Sequence, residues 1–131
     1  MTNPYFPKIK GFLLELGFDI RRAEEQDGIL VVDRPEMGIK SLVIGCADPL
    51  LILEQYLLEL PAPDCDIYRQ LLQKNRDMIH GAFVLDESGR KVIFRDTIQI
   101  ETLDRPELEA ALNSLGLLLS EYSEELIRFS K

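Results

Sequence analysis

The feature that most narrows what this chain can become is one long stripe near its end. Leu108, Leu112, Leu115, Leu119, Tyr122, Leu126 and Phe129 step alternately by four and three residues, the interval that holds them on one side of an α-helix. Ala111 and Leu118 widen the stripe to the breadth of a helix laid on a core. Asp104 as N-cap, Pro106 in the first turn and Glu107 in capping-box spacing fix where the helix begins. A helix over Asp104 to Phe129 with one apolar side needs an apolar surface to cover. No second helix of comparable length precedes it, whereas several alternating or β-rich runs do, so that surface is expected to be a sheet.

Ahead of it, the spacing predicts a first helix from Phe6-Pro7 to Leu16-Gly17, with Ile9, Phe12, Leu13 and Leu16 on one face and Gly17 as a left-handed cap. An earlier start capped by Asn3-Pro4 would leave Pro7 a full turn inside. Gln26-Asp27-Gly28 reads as a turn, Ile29 to Val32 as a strand, Pro35 to Gly38 as a break and Ser41 to Ile44 as a second, antiparallel strand. Ile20 to Glu25 has the makings of an irregular strand with few apolar contacts to offer. Leu50 to Leu60 fits two readings: a helix capped by Asp48-Pro49, which its Leu, Glu and Gln favour, or a strand buried on both sides. Pro61-Ala62-Pro63 ends that element, and Asp64 or Asp66 caps a second helix running to about Arg76. Ile67, Leu71 and Met78 form one seam of it, and Tyr68, Leu72 and Ile79 form another. Two seams imply two neighbours, one the sheet and the other a subunit partner or more core. A hairpin follows, Gly81 to Leu85 and Lys91 to Ile100 about Asp86–Arg90. Val92, Phe94, Ile98 and Ile100 face the closing helix, and Asp96 breaks that apolar side as a bend or a hydrogen-bonded polar group.

Length and charge bound the function. The 131 residues suit a single domain with one core. Twenty-three acidic against 15 basic side chains give a formal charge of −8, which opposes nucleic-acid phosphates and anionic membrane surfaces, and the basic residues are dispersed. Met1-Thr2-Asn3-Pro4 is not the basic start of a secretory signal and no apolar run is long enough to span a bilayer, so a cytoplasmic protein is expected, with Cys46 and Cys65 as buried thiols rather than a disulfide. His80 is the only histidine, and together with Cys46 and Cys65 it lacks the close paired spacing of a zinc site. Asp64 and Asp66 are explained by capping, Glu54 and Glu59 have no partner to tune a carboxyl for acid-base work, and the glycines form no phosphate-cradling loop. No catalytic residue, metal or cofactor is expected. Leu117 lies opposite the closing stripe with Gly116 on its flank, which fits close approach of another chain or a simple exposed leucine.

The run Leu71-Leu72-Gln73-Lys74-Asn75-Arg76, then His80-Gly81-Ala82-Phe83-Val84-Leu85-Asp86, Gly89-Arg90, Ile98 and Leu103-Asp104 with the helix through Leu112 and Leu115 resembles the YbjN family and the type III secretion chaperones (CesT/Tir chaperone-like proteins). The likeness is clearest over Asp66 to Phe129. It implies an α+β fold in the order α-β-β-β-α-β-β-α, an antiparallel sheet packed by helices, and it selects the strand reading for Leu50 to Leu60. It further implies a small acidic homodimer that binds a polypeptide client without catalysis, or alternatively a regulatory protein that binds a signalling partner or small ligand. Dimer contacts are then expected through the second helix at Tyr68 and Leu72 or through a sheet edge, with Leu117 a further interface candidate and client contacts on exposed apolar strand positions.

Overall fold

In the computed structural model, which describes residues 4–131, the chain runs α1 (Phe6–Glu15), β1 (Asp19–Glu24), β2 (Ile29–Arg34), a 3-10 turn (Pro35–Met37), β3 (Ile39–Ala47), β4 (Leu50–Glu59), α2 (Cys65–Asn75), β5 (Ala82–Leu85), β6 (Lys91–Gln99) and α3 (Arg105–Phe129). The six strands form one antiparallel sheet in the order β1-β2-β3-β4-β6-β5. The α+β order expected from the sequence holds, and Leu50–Glu59 is a strand in the middle of the sheet. One strand is added: β1, over the stretch read as irregular, pairs with β2 at the edge, and only Ile20 of its residues packs on the core.

Local signals set the helix ends. Gly17 takes φ +82° after α1, where the Phe18 N–H donates to the Leu13 carbonyl at 3.0 Å. Tyr5 stands at the α1 N-cap, where its side chain does not cap the helix, and the alternative cap at Asn3 lies outside the described residues. Asp64, rather than Asp66, caps α2, its Oδ1 accepting from the Asp66 and Ile67 N–H groups at 2.9 and 3.3 Å. The Asp104 carboxylate accepts from the Glu107 N–H at 2.8 Å, as capping-box spacing requires.

Register then decides which side chains are inside. Leu30, Ile44, Leu53 and Asp96 stand in one row across β2, β3, β4 and β6, and Gln55, Phe94 and Phe83 stand in another across β4, β6 and β5. These rows and the one through Leu51 share a face, and their apolar members join a single hydrophobic cluster with Ile9 and Leu13 of α1, Leu71 of α2 and Leu108, Leu112 and Leu115 of α3. Within the α3 stripe Leu119 and Tyr122 are half-buried and the others buried. Cys46 is buried in this core, where burial pushes its thiol up to about 11. Cys65, expected to be buried, is exposed: it precedes Tyr68 and Leu72 at helical spacing and so shares the outward side of α2.

Phe94, 1% exposed, closes the core where β6 passes the start of β5. Gly81 has φ +72°, and a Cβ there would stand 2.3 Å from the Phe94 ring and 2.9 Å from the Arg95 carbonyl oxygen. The Gly81→Ala variant is expected to lose about 2 to 4 kcal/mol of stability, read as a lower denaturant midpoint. An unchanged midpoint would mean that the ring and backbone can yield.

Candidate functional site

The other face of the sheet has no share in the buried cluster. Its rows are Ile29, Gly45, Ile52 and Thr97; Val31, Val43, Glu54 and Arg95; and Tyr56, Ile93 and Val84. All of the apolar members are half-buried or exposed, Val43 at 39% and Tyr56 at 51%. Alternation should place polar groups on a solvated face, yet here Ile, Val and Tyr occupy it, interrupted by the Glu54–Arg95 pair at 3.2 Å. Gly45 leaves a depression of about 260 Å³ that Ile29, Val43, Ile52, Asp27 and Glu54 help to line.

The edges of the sheet are unequal. The Phe83 N–H of β5 donates to Asn75 Oδ1 at 2.7 Å, and Asn75 Nδ2 donates to the Phe83 carbonyl at 3.1 Å, so the last residue of α2 occupies the bonding positions of a further strand. That edge is closed to pairing. The opposite edge, β1, is shielded differently, by Asp19, Arg21, Arg22 and Glu24 and by an irregularity between Ile20 and Arg22.

The candidate interface residues fall in two places. Tyr68 and Leu72 line an apolar groove on α2, with Arg69 and Arg76 at its rim. Leu72 is 69% exposed, whereas Tyr68 is half-buried and its hydroxyl donates to the Gly89 carbonyl at 2.7 Å, bracing the β5–β6 turn. Of the two α2 seams, the one through Leu71 meets the core and the one through Leu72 meets solvent; Met78 and Ile79 lie beyond the helix end. Leu117, 70% exposed, belongs to a different groove, between α3 and the 3-10 turn. The glycine beside it has an intrachain reason: a Cβ on Gly116 would lie 3.0 Å from Met37 Cε.

Among the described residues no group of three or more His, Cys, Asp and Glu is placed to hold a metal ion, and no helix is long and apolar enough to cross a membrane. His80 is exposed and lines one cavity with Asp96 and Glu107. Asp96 lies in unbroken register opposite Leu53, so it marks no bend, and its Oδ2 is buried with no hydrogen-bond partner among the described residues. Burial raises its carboxyl above the usual value, opposed by the Thr97 backbone N–H and the nearby His80.

Comparison with known proteins follows this geometry. The family model CesT_Tir_1 matches residues 2–131. Solved structures with a similar fold include YbjN from E. coli, a candidate transcription regulator, at TM-score 0.71 and 11% identity over 95% of this chain and 96% of that one. The ExsC-ExsE complex gives TM-score 0.71 at 20% identity over 96% of each chain. The Yersinia pestis type III secretion chaperone SycH, in complex with a stable fragment of YscM2, gives 0.58 at 18% identity over 96% of this chain and 99% of that one. No curated protein matches the sequence. The fold is therefore the one that type III secretion chaperones share.

Asp96 yields a pH test. Its folded value lies above its unfolded one, so its contribution to stability is full below the ordinary carboxylate value and is lost as pH rises through the folded value. Asp96→Asn is expected to raise the melting temperature at pH 7 by a few degrees, on the order of what 1 kcal/mol does in a domain of this size. The gain should shrink as pH falls towards 4, and a gain independent of pH would mean that charge is not its cause.

Proposed function

We propose, from the premise that this chain belongs to the CesT_Tir_1 family, that it is a non-enzymatic, chaperone-like module of the cytoplasm that holds a segment of another polypeptide. The observation that carries this reading is the uncovered sheet face, where Val43, Ile52, Tyr56 and Ile93 form an apolar surface that no described element of the chain buries. A chain in extended conformation sends alternate side chains to one side, which matches the row spacing of that face, and the depression beside Gly45 has room for one apolar anchor. Glu54 and Arg95 offer opposite charges between the apolar rows to orient it. Binding of this kind needs no covalent step. It removes apolar area from water at about 25 cal/mol per Å², less the cost of ordering the segment. SycH, of like fold, is seen with a fragment of YscM2, which accords with a polypeptide ligand here.

The α2 groove is the proposed homodimer contact. Leu72 is exposed at its centre, and a two-fold contact would set Leu72 of one copy against the α2 of its partner. The closed β5 edge argues against the alternative dimer through that edge. A second reading, a regulatory protein that binds a signalling partner or small ligand, is favoured by one observation: the cavity of about 620 Å³ beside Leu117 and Met37 falls in the size range of small-molecule sites.

Affinity capture of the tagged chain from its native cytosol is expected to return one stoichiometric polypeptide, and the Val43→Asp/Tyr56→Asp variant is expected to lose it while remaining folded by circular dichroism. A clean preparation that carries no polypeptide but releases a stoichiometric small molecule on denaturation would replace this reading by the regulatory one. Separately, Leu72→Asp should convert a dimer into a folded monomer by light scattering; a variant that stays dimeric would remove α2 from the interface.

A further inference from the structure

Beyond the sheet face, a second surface on the helical side has a distinct chemical character. Ile79, 93% exposed, and Leu117, 70% exposed, stand on either side of a cavity of about 240 Å³ between α3 and the segment after α2. Leu117 is also a wall of the larger groove against the 3-10 turn, and His80 is a wall of both the Ile79 cavity and the one that holds Asp96. The three hollows are thus neighbours, each sharing one lining residue with the next. No Lys or Arg lines any of them, whereas Glu36, Asp77, Asp96, Glu107 and Glu121 all do. Of these carboxylates only Glu36 has an ion-pair partner among the described residues, Arg34 at 3.3 Å. The α2 groove is the reverse case, apolar with Arg69 and Arg76 beside Leu72.

Two large exposed apolar side chains set near Asp77, Glu107 and Glu121, which have no ion pair among the described residues, define their complement: apolar side chains that come with positive charge. We propose that this α3 face docks a cationic amphipathic segment of a partner polypeptide, one that presents large apolar residues beside Lys or Arg. The apolar residues enter the hollows beside Leu117 and Ile79, and the cations meet Asp77 and Glu121 on one side and Glu107 on the other. A second copy of this chain is a poorer occupant, because its apolar, arginine-flanked groove on α2 is the one proposed above for the two-fold contact, where it meets the α2 of its partner. The proposal rests on reading the chain as a polypeptide-binding module, but it places the contact away from the open sheet face.

The test uses two fluorescent amphipathic peptides with helical spacing, one of Leu and Lys and one of Leu and Glu, titrated with the full chain and read by anisotropy. The Leu–Lys peptide is expected to bind at least about tenfold more tightly than the Leu–Glu peptide, and Ile79→Ser/Leu117→Ser to weaken it about tenfold, each tenfold being about 1.4 kcal/mol. Neutralising Asp77 and Glu121 as Asp77→Asn/Glu121→Gln should weaken it more than Glu109→Gln/Glu124→Gln, which changes net charge equally elsewhere on α3. Equal weakening by the two pairs, or no preference between the peptides, overturns the proposal. Binding lost in Val43→Asp but intact in Ile79→Ser/Leu117→Ser also overturns it, while leaving the sheet-face reading in place. If Ile79→Ser/Leu117→Ser instead splits a dimer into monomers, a second copy covers this face and the proposal fails.

Discussion

A six-stranded sheet has two faces, and in this chain the buried core lies on only one of them. The inner rows through Leu30, Ile44 and Leu53 and through Phe94 and Phe83 are buried with α1, α2 and α3 in one cluster. Everything else follows from that one-sided burial. The 3-10 turn passes close under α3, so a Cβ at residue 116 would crowd the Met37 side chain, whose methyl would have to give by a few tenths of an ångström. The segment after α2 has to turn back over Phe94, so residue 81 must be glycine. The outer rows, through Val31, Val43 and Tyr56, are left with apolar side chains and no cover from within the described chain.

Buried polar groups mark the places where the sheet departs from regular pairing. Asp33 sits between the irregularities of the β1–β2 and β2–β3 ladders, and it accepts from Arg21 Nη1 at 2.9 Å and from the Ser41 N–H at 2.6 Å. Ser41 there takes φ +54°, a conformation that a non-glycine residue holds only when its surroundings enforce it. Gln55 acts similarly beside the β4 irregularity, its Nε2 donating to the Lys40 and Tyr56 carbonyls at 2.6 and 3.0 Å. At the β2–β3 and β4–β6 irregularities, backbone groups beside the break in the ladder are met by a buried side chain. Two buried oxygens, Gln55 Oε1 and Asp96 Oδ2, have no hydrogen-bond partner among the described residues; Asp96, in an inner row of unbroken register, holds its carboxyl at the expense of stability at neutral pH.

The exposed apolar surface is limited in how it can be met. A formal charge of −8 opposes unspecific association of copies, and the edges of the sheet are blocked, one by Asn75 and the other by charge. Blocking the edges while leaving a face open favours contact through side chains over strand addition. The exposed apolar residues are also sorted by charge, with arginines around Leu72 and carboxylates around Ile79 and Leu117. Surfaces of opposite sign select different partners, because a like charge at an apolar contact raises its cost.

The helices were legible from residues alone because their determinants are local. The α3 stripe, the Asp104 cap, a cap at Asp64 or Asp66 and the Gly17 terminator each act within a turn or two of the chain, and the structure chose Asp64. Strand β4 was not legible in that way: its inner Leu51 and Leu53 and its outer Leu50 and Ile52 are all apolar, so no period separates the faces, and family likeness had to choose between helix and strand. Strand β1 exists because β2 offers it a ladder, and its charged sequence says little of that. Asn75 stood out only as part of a helix-ending motif, and its bonds to Phe83 depend on where β5 returns. Leu72 and Leu117 could be read as outward-facing, but only the tertiary structure set them in separate grooves of different charge. Sequence determined where the three helices lie and most of what they bury, since those follow from neighbours along the chain, but neither the strand at Leu50–Glu59 nor the exposure of Cys65. The open sheet face, the closed edge and the sorted charges were decided by packing, which joins residues that no local spacing connects.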